Sequence, residues 1–378
     1  MTLFYSIYFT EYVDTSGSAT SLYGASVALS ILMIGLLAPF VGTRMDLSGQ
    51  RIKYLRIFAI GSVLGTVLLG AVGLASPLAV SAVFVFTNTA FGLSVFAYDS
   101  LVIDFSSSRK SYTKLSGLGW ALGYIGGPMC RILALIILGK EAPATVGDFQ
   151  IIFIITGIFF AVFAAPLVLL KNSTPTASIK KAHSPFVTLW RWKENREAFL
   201  FLGAVYLFSD ALVTIIYFVA LYGREVLHLE LKSIIFFMVY LQIVAVPATV
   251  IITRWANQDR EISTLIFCIC MWAALVFGLY FATSLIHFYV IGALTGLVVG
   301  STPAIARGYL AKIIPSDMRS EFFGFNAVAG RLASLVGPII FTVTAAYYGM
   351  RIAVLTVLPF LLGAMLLLVY LKIKRGRG

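Results

Sequence analysis

Apolar runs of membrane-crossing length recur along this chain with so little polar sequence between them that a water-soluble core is excluded. They fall near 1–13, 20–41, 54–74, 77–98, 115–139, 150–170, 198–221, 233–253, 262–282, 287–306, 324–347 and 350–371. All but the first approach the about 20 residues that an α-helix needs to cross about 30 Å of hydrocarbon. Hydrophobic residues make up 60% of the chain and charged residues 12%, with a mean hydropathy of +0.96; in soluble domains charge takes about a quarter. With no water in the bilayer core, each backbone N–H and C=O must be satisfied within its own segment, which selects helices. The expected class is therefore an all-α, integral multi-pass membrane protein. The first span is about half the needed length, so the chain is expected to start inside helix 1 or at a mis-called start. Met1 is followed by no basic run, and no signal peptide is expected.

The spans are duplicated. Residues 307–338 run from a basic loop into an apolar helix ending in Gly-Pro, and residues 98–128 repeat that plan. Aligning Gly127-Pro128 with Gly337-Pro338 gives an offset of 210 and places Gly119, Gly123 and Gly127 opposite Ala329, Ala333 and Gly337. Small residues every fourth position let helix backbones approach closely in lipid.

Net charge is +12, and its location matters more than its size. All but six of the Lys and Arg residues fall in the loops after spans 2, 4, 6, 8 and 10, beside them at Arg56, or in the C-terminal tail. The opposite loops hold only Lys140, Arg224, Lys232 and Arg351, while Arg131 and Arg331 lie within spans. Short loops rich in Lys and Arg stay in the cytoplasm, so a cytoplasmic C-terminus is expected, in the cell (inner) membrane. The basic balance then needs no nucleic acid, and no aromatic platform interleaves the basic residues.

Residues 171–197 divide the chain into an N-terminal half, 1–170, and a C-terminal half, 198–378. The segment is polar, basic and broken by Pro175 and Pro185, as a linker would be. Phe186, Leu189, Trp190 and Trp192 alternate with basic residues, which suits either a short interfacial helix or a simple lead-in to span 7. Asn172-Ser173-Thr174 is a formal glycosylation sequon that a cytoplasmic loop keeps from the glycosylation machinery.

Two six-helix halves joined by a basic loop resemble the major facilitator superfamily. The loop after span 2 fits that superfamily's pattern at Gly42, Asp46, Gly49 and Arg51, departing from it at Leu47 and Gln50. The glycines permit a tight turn, and the Asp46 carboxylate suits the positive end of a neighbouring helix. The resemblance implies that this neighbour is the start of span 11, Arg319–Gly324, and that the contact is a gating latch. At offset 210 stand Ile252 and Asp259 instead of glycines, so the latch is expected on one side only. Four stretches in order, Leu36 to Asp46, Gly119 to Pro128, Phe201 to Phe218 and Ser320 to Pro338, are similar to the vacuole-effluxer-like branch of the superfamily. That resemblance implies twelve helices, a central cavity and transport of a small solute. Eukaryotic members are associated with autophagy and release of amino acids from the vacuole. The sequence departs from the branch in the first half of helix 1 and at Ala211, where relatives have Gly.

Ionisable residues inside lipid are costly and are paired or functional. Asp210 lies about twelve residues into span 7, about 18 Å at 1.5 Å per residue, near the midplane, where a carboxyl group suits reversible proton binding. Tyr206, Thr214 and Tyr217 share its helical face. These are candidates for substrate or proton binding, against the bland reading of a structural pair with Arg131 or Arg331. Either arginine could hold a carboxylate bidentately, or Arg331 could snorkel to the interface. Asn88 and Gln242 are weaker cavity candidates, with Ser301 and Thr302, since such groups often only tie helices together. Asp99, at the end of span 4, reads as a gate or loop contact.

Other chemistry is not indicated. The chain has no phosphate-binding G-x-x-x-x-G-K-[ST] run. His183, His228 and His287 fall in separate loops, and Cys130, Cys268 and Cys270 lie in spans as free thiols, so no metal site, disulfide or cofactor is expected. A secondary transporter that moves a small solute, with amino acids and proton-coupled efflux in view, is the leading function. The alternatives are a receptor or scaffold, or a membrane enzyme. The expected partners are the lipid bilayer and a small-molecule substrate, and the expected state is a monomer.

Overall fold

The computed structural model describes residues 5, 8–13, 19–71, 76–105, 111–138, 145–170, 192–229, 231–257, 259–315, 318–333 and 335–375. Every regular element among them is helical: a π-helical turn at Phe9–Val13, then α1 (Ala19–Ser48), α2 (Arg51–Ala71), α3 (Pro77–Ser100), α4 (Tyr112–Leu138), α5 (Val146–Val168), α6 (Arg196–Glu225), α7 (Leu231–Ala256), α8 (Glu261–Phe281), α9 (Leu285–Val299), α10 (Ser301–Ile313), α11 (Arg319–Leu332), α12 (Val336–Tyr348), α13 (Met350–Ala353) and α14 (Leu358–Arg375). Ten helical stretches of the described residues are long and apolar enough to cross a membrane. Spans 2 to 9 appear as α1 to α8, each one helix. The expected interfacial helix lies outside the described residues, apart from Trp192 at its end.

Local chemistry sets the helix ends. Ser76 caps α3, with Pro77 in the first turn where its missing N–H costs nothing. Thr145 and Asp148 form a reciprocal capping box on α5. At the end of α1, Gly49 takes φ 64° and its N–H returns to the Met45 carbonyl at 3.0 Å, the left-handed cap that favours glycine.

Spans 10 and 11 are each broken into two helices. Gly300 separates α9 from α10; Pro303 cannot donate to the Val299 carbonyl, and the Ser301 and Thr302 hydroxyls bond back to Leu297 and Val298. Span 11 is described as two helices, α11 ending at Leu332 and α12 starting at Val336, with Pro338 in the first turn of α12, where an N–H has no partner in its own helix.

The helices form two compact units, neither of which follows one sequence half. One comprises residues 1–101, 127–185 and 317–327; the other comprises 102–126, 186–316 and 328–378. In the first, α2 packs against α3 and α5, and an aromatic cluster fills the core where Tyr5 stacks on Phe84 at 3.8 Å between centroids. In the second, α6 and α8 pack on α14, and α7 packs on α9. Outward faces stay apolar, as with Leu169, Ile286 and Phe281, a surface matched to lipid rather than water.

Candidate transport site and helix clasps

Asp210 is the most deeply placed of the carboxylates singled out from the sequence. Its residue is 0% exposed on α6. Oδ1 accepts from the Gly337 backbone N–H at 3.0 Å, in the first turn of α12, and Oδ2 has no hydrogen-bond partner among the described residues. One turn on, the buried Thr214 hydroxyl donates to the Asp210 carbonyl at 2.7 Å. Tyr206, one turn back, is half-buried, whereas Tyr217 is 63% exposed, so the expected polar stripe is buried at its centre and open at one end. Asp210 makes no ion pair with Arg331, which is half-buried on α11. Helix α4 carries Arg131, whose side chain lies outside the described residues.

The remaining candidates are engaged within their own units. Asn88 is buried in the other unit and donates to Ser30 Oγ at 2.6 Å, tying α3 to α1. Gln242 turns its amide onto the Met238 carbonyl of its own helix at 3.2 Å. Thr302 accepts from the Trp272 indole at 3.2 Å, and Ser301 is spent on its helix. Asp99 is half-buried at the end of α3. An apolar groove of about 650 Å³ runs between α1 and α3, past Leu29, Met33, Phe58, Phe86 and Leu93; its lining offers a polar solute little beyond scattered hydroxyls. Cys130, Cys268 and Cys270 are free, and no group of three His, Cys, Asp or Glu among the described residues could hold a metal.

The loop after α1 closes on α11. The Asp46 carboxylate accepts from the backbone N–H groups of Ser320 at 3.0 Å and Glu321 at 2.9 Å, the free donors of a helix N-terminus. Arg51 bridges them, 2.7 Å from Asp46 Oδ1 and 2.8 Å from Ser320 Oγ. Without Gly42 the helices could not come so near: an added methyl would overlap the Ser320 carbonyl oxygen and lie 2.8 Å from its carbon. Gly324, which carried no role in the sequence reading, meets the Ala38 backbone in the same way.

A second clasp, in the other unit, corrects the expectation of a one-sided latch. There α4 meets α7 and α10. Gly117 faces Thr253, and Gly308 lies over the Thr113 backbone, each too close for a methyl group. Buried Glu261 pairs with Lys312, and also accepts from Thr113 at 3.3 Å; Asn257 accepts from the Lys114 backbone N–H at 3.3 Å. Arg307 donates to Ser116 Oγ at 2.8 Å. The glycines lost at offset 210 from Gly42 are supplied by the partner helices instead, so the close crossing survives without the loop pattern. The signal lay in Gly117, one of several glycines on α4, and in Gly308, the single glycine of α10.

A family model described as Vacuole effluxer Atg22 like matches residues 7–378. The chain belongs to that family. This vacuole effluxer-like protein is 27% identical over 361 residues to the MFS-type transporter YxiO of Bacillus subtilis (strain 168), an alignment covering 92% of the chain and 83% of YxiO. It is 24% identical over 292 residues to autophagy-related protein 22 of Coccidioides immitis (strain RS), covering 68% of the chain but only 47% of that relative; the match thus spans about half the fungal protein. The fold is similar to that of the E. coli fucose:proton symporter FucP, with TM-score 0.76, 11% identity and coverage of 98% and 97% of the two chains. The vacuole effluxer-like chain therefore has the major facilitator fold, and it is a multi-pass membrane protein of a secondary-transporter family.

Proposed function

We propose that this protein carries a small solute, with amino acids as the first class to test, across the cell membrane by alternating access coupled to protons. The supporting observation is Asp210: a fully buried carboxylate on an apolar helix, with one oxygen bonded to a backbone N–H and the other unpartnered. An unmet buried oxygen is costly, and a proton or the cationic part of a solute would satisfy it. Broken transmembrane helices commonly form transporter binding sites, and the break in span 11 lies directly beside this group. Tyr206, Thr214 and Arg331 are assigned to the same pathway.

In this reading residues 1–170 and 198–378 are the moving halves, linked through 171–197. Asp46, Arg51, Gly42 and Gly49 hold one closed arrangement, and Asp99 lies near the same membrane face. The Lys- and Arg-rich loops and the C-terminal tail face the cytoplasm.

Counterflow in proteoliposomes, with a panel of amino acids and other small metabolites, tests the proposal. Asp210→Asn is expected to abolish the pH dependence of uptake while leaving the protein folded. Uptake that keeps its pH dependence in that variant removes the coupling role, and no counterflow with any solute removes the transport reading.

A further inference from the structure

The N-terminal turn of α12 lacks a cap of its own: Leu335 precedes it and offers no side-chain hydrogen bond. Its acceptor comes from another helix, as Asp210 Oδ1 takes the Gly337 N–H at 3.0 Å. A carboxylate at a helix N-terminus is held by the free N–H groups and by the positive end of the helix dipole together. Here the half-helix bound in this way is the second portion of span 11.

The contact has a steric condition. A methyl group on Gly337 would overlap Thr214 Oγ1 and stand 3.0 Å from Asp210 Oδ2 and 3.1 Å from its Cγ. Thr214 cannot readily yield, since it is buried and its hydroxyl is bonded to the Asp210 carbonyl at 2.7 Å. Only a residue without a side chain lets α12 approach the carboxylate, which accounts for glycine at 337 independently of the small-residue repeat.

We infer that Asp210 clasps α12 to α6, with Gly337 as the positioning residue, and that loading the carboxylate with a proton or a solute cation frees the half-helix. The inference rests on the transport reading of Asp210, but it adds the moving part: the segment released on loading is Val336–Tyr348.

Hydrogen–deuterium exchange on the full-length protein in lipid nanodiscs tests it. Asp210→Asn keeps the shape and removes the charge. The dipole interaction so lost corresponds to about two- to thirty-fold faster exchange in the first turn of α12, with α14 unchanged. Gly337→Ala, which leaves the carboxylate intact, is expected to speed exchange in the same turn. Adding Thr214→Ala, which removes the overlapping oxygen, is expected to restore part of the protection. Unchanged exchange at α12 in Asp210→Asn overturns the clasp; if Gly337→Ala does not fold, that arm alone decides. Counterflow on the same samples separates the two readings. Lost pH dependence with α12 unmoved keeps proton coupling and sinks the clasp. A freed α12 with pH dependence intact keeps the clasp and sinks the coupling.

Discussion

Replacing Asp46 by alanine should open the first clasp by a measurable factor. The carboxylate is 6% exposed and serves three donors at once: Ser320 N–H at 3.0 Å, Glu321 N–H at 2.9 Å and the Arg51 guanidinium at 2.7 Å. Its removal leaves Arg51, whose side chain is 12% exposed, without this partner, and strips two backbone donors. Breaking a buried pair from one side costs about 3–5 kcal/mol. Opening lets water reach the freed groups, so the lower end applies. At about 1.4 kcal/mol per tenfold, the open fraction rises roughly 100-fold. Ser320 is 0% exposed, so a thiol introduced by Ser320→Cys reports that opening, in a background where the three native cysteines are serine. Maleimide labelling of this thiol should quicken about 100-fold when Asp46→Ala is added. Loss of the Arg51–Ser320 bond is common to both arms and cancels. Labelling that changes less than threefold would show that the carboxylate does not hold α11, and the latch reading would fail.

Three further outcomes follow from the same geometry. Lys312→Met alone should lower the midpoint of thermal unfolding most, since it strands the buried Glu261 carboxylate at about 3–5 kcal/mol; Glu261→Gln should cost less, because Lys312 keeps Asp259 at 3.2 Å, and the double variant should recover most of the loss of Lys312→Met. Gly308→Ala should sharply reduce the yield of monodisperse protein, because the added methyl meets the Thr113 backbone; Gly123→Ala, with nothing within 4 Å of the added carbon, should leave the yield unchanged. Asn88→Ala should cost about 0.6 kcal/mol of stability, the usual worth of an interhelical hydrogen bond in lipid, with counterflow affinity unaltered if Asn88 only ties α3 to Ser30.

Much of this was legible in the residues, for a physical reason. Lipid imposes one period and one length on every span, so positions 20–41 or 262–282 declare their helices without reference to any neighbour. Asp46 was legible because a turn glycine, a carboxylate and a basic residue sit within a few positions of each other. The second clasp was not, because its parts are scattered: Thr113 and Gly117 on one helix, Asn257 and Glu261 about a loop, Gly308 and Lys312 on a third. The break after Leu332 was missed for another reason. Pro338 announces a missing N–H, but the acceptor that takes the neighbouring Gly337 N–H is Asp210, 127 positions earlier. Asn88 and Gln242 looked alike as isolated amides; one bridges two helices and the other bonds its own turn.

At Gly42 and Gly308 the chain meets itself main chain against main chain, with no rotamers to freeze or release when the surfaces separate. The resistance to parting therefore resides in a handful of polar groups, Asp46 and Arg51 in one clasp and Glu261 and Lys312 in the other. Substitutions among those groups would change how firmly each clasp closes, one clasp at a time, while leaving the backbone contact itself in place.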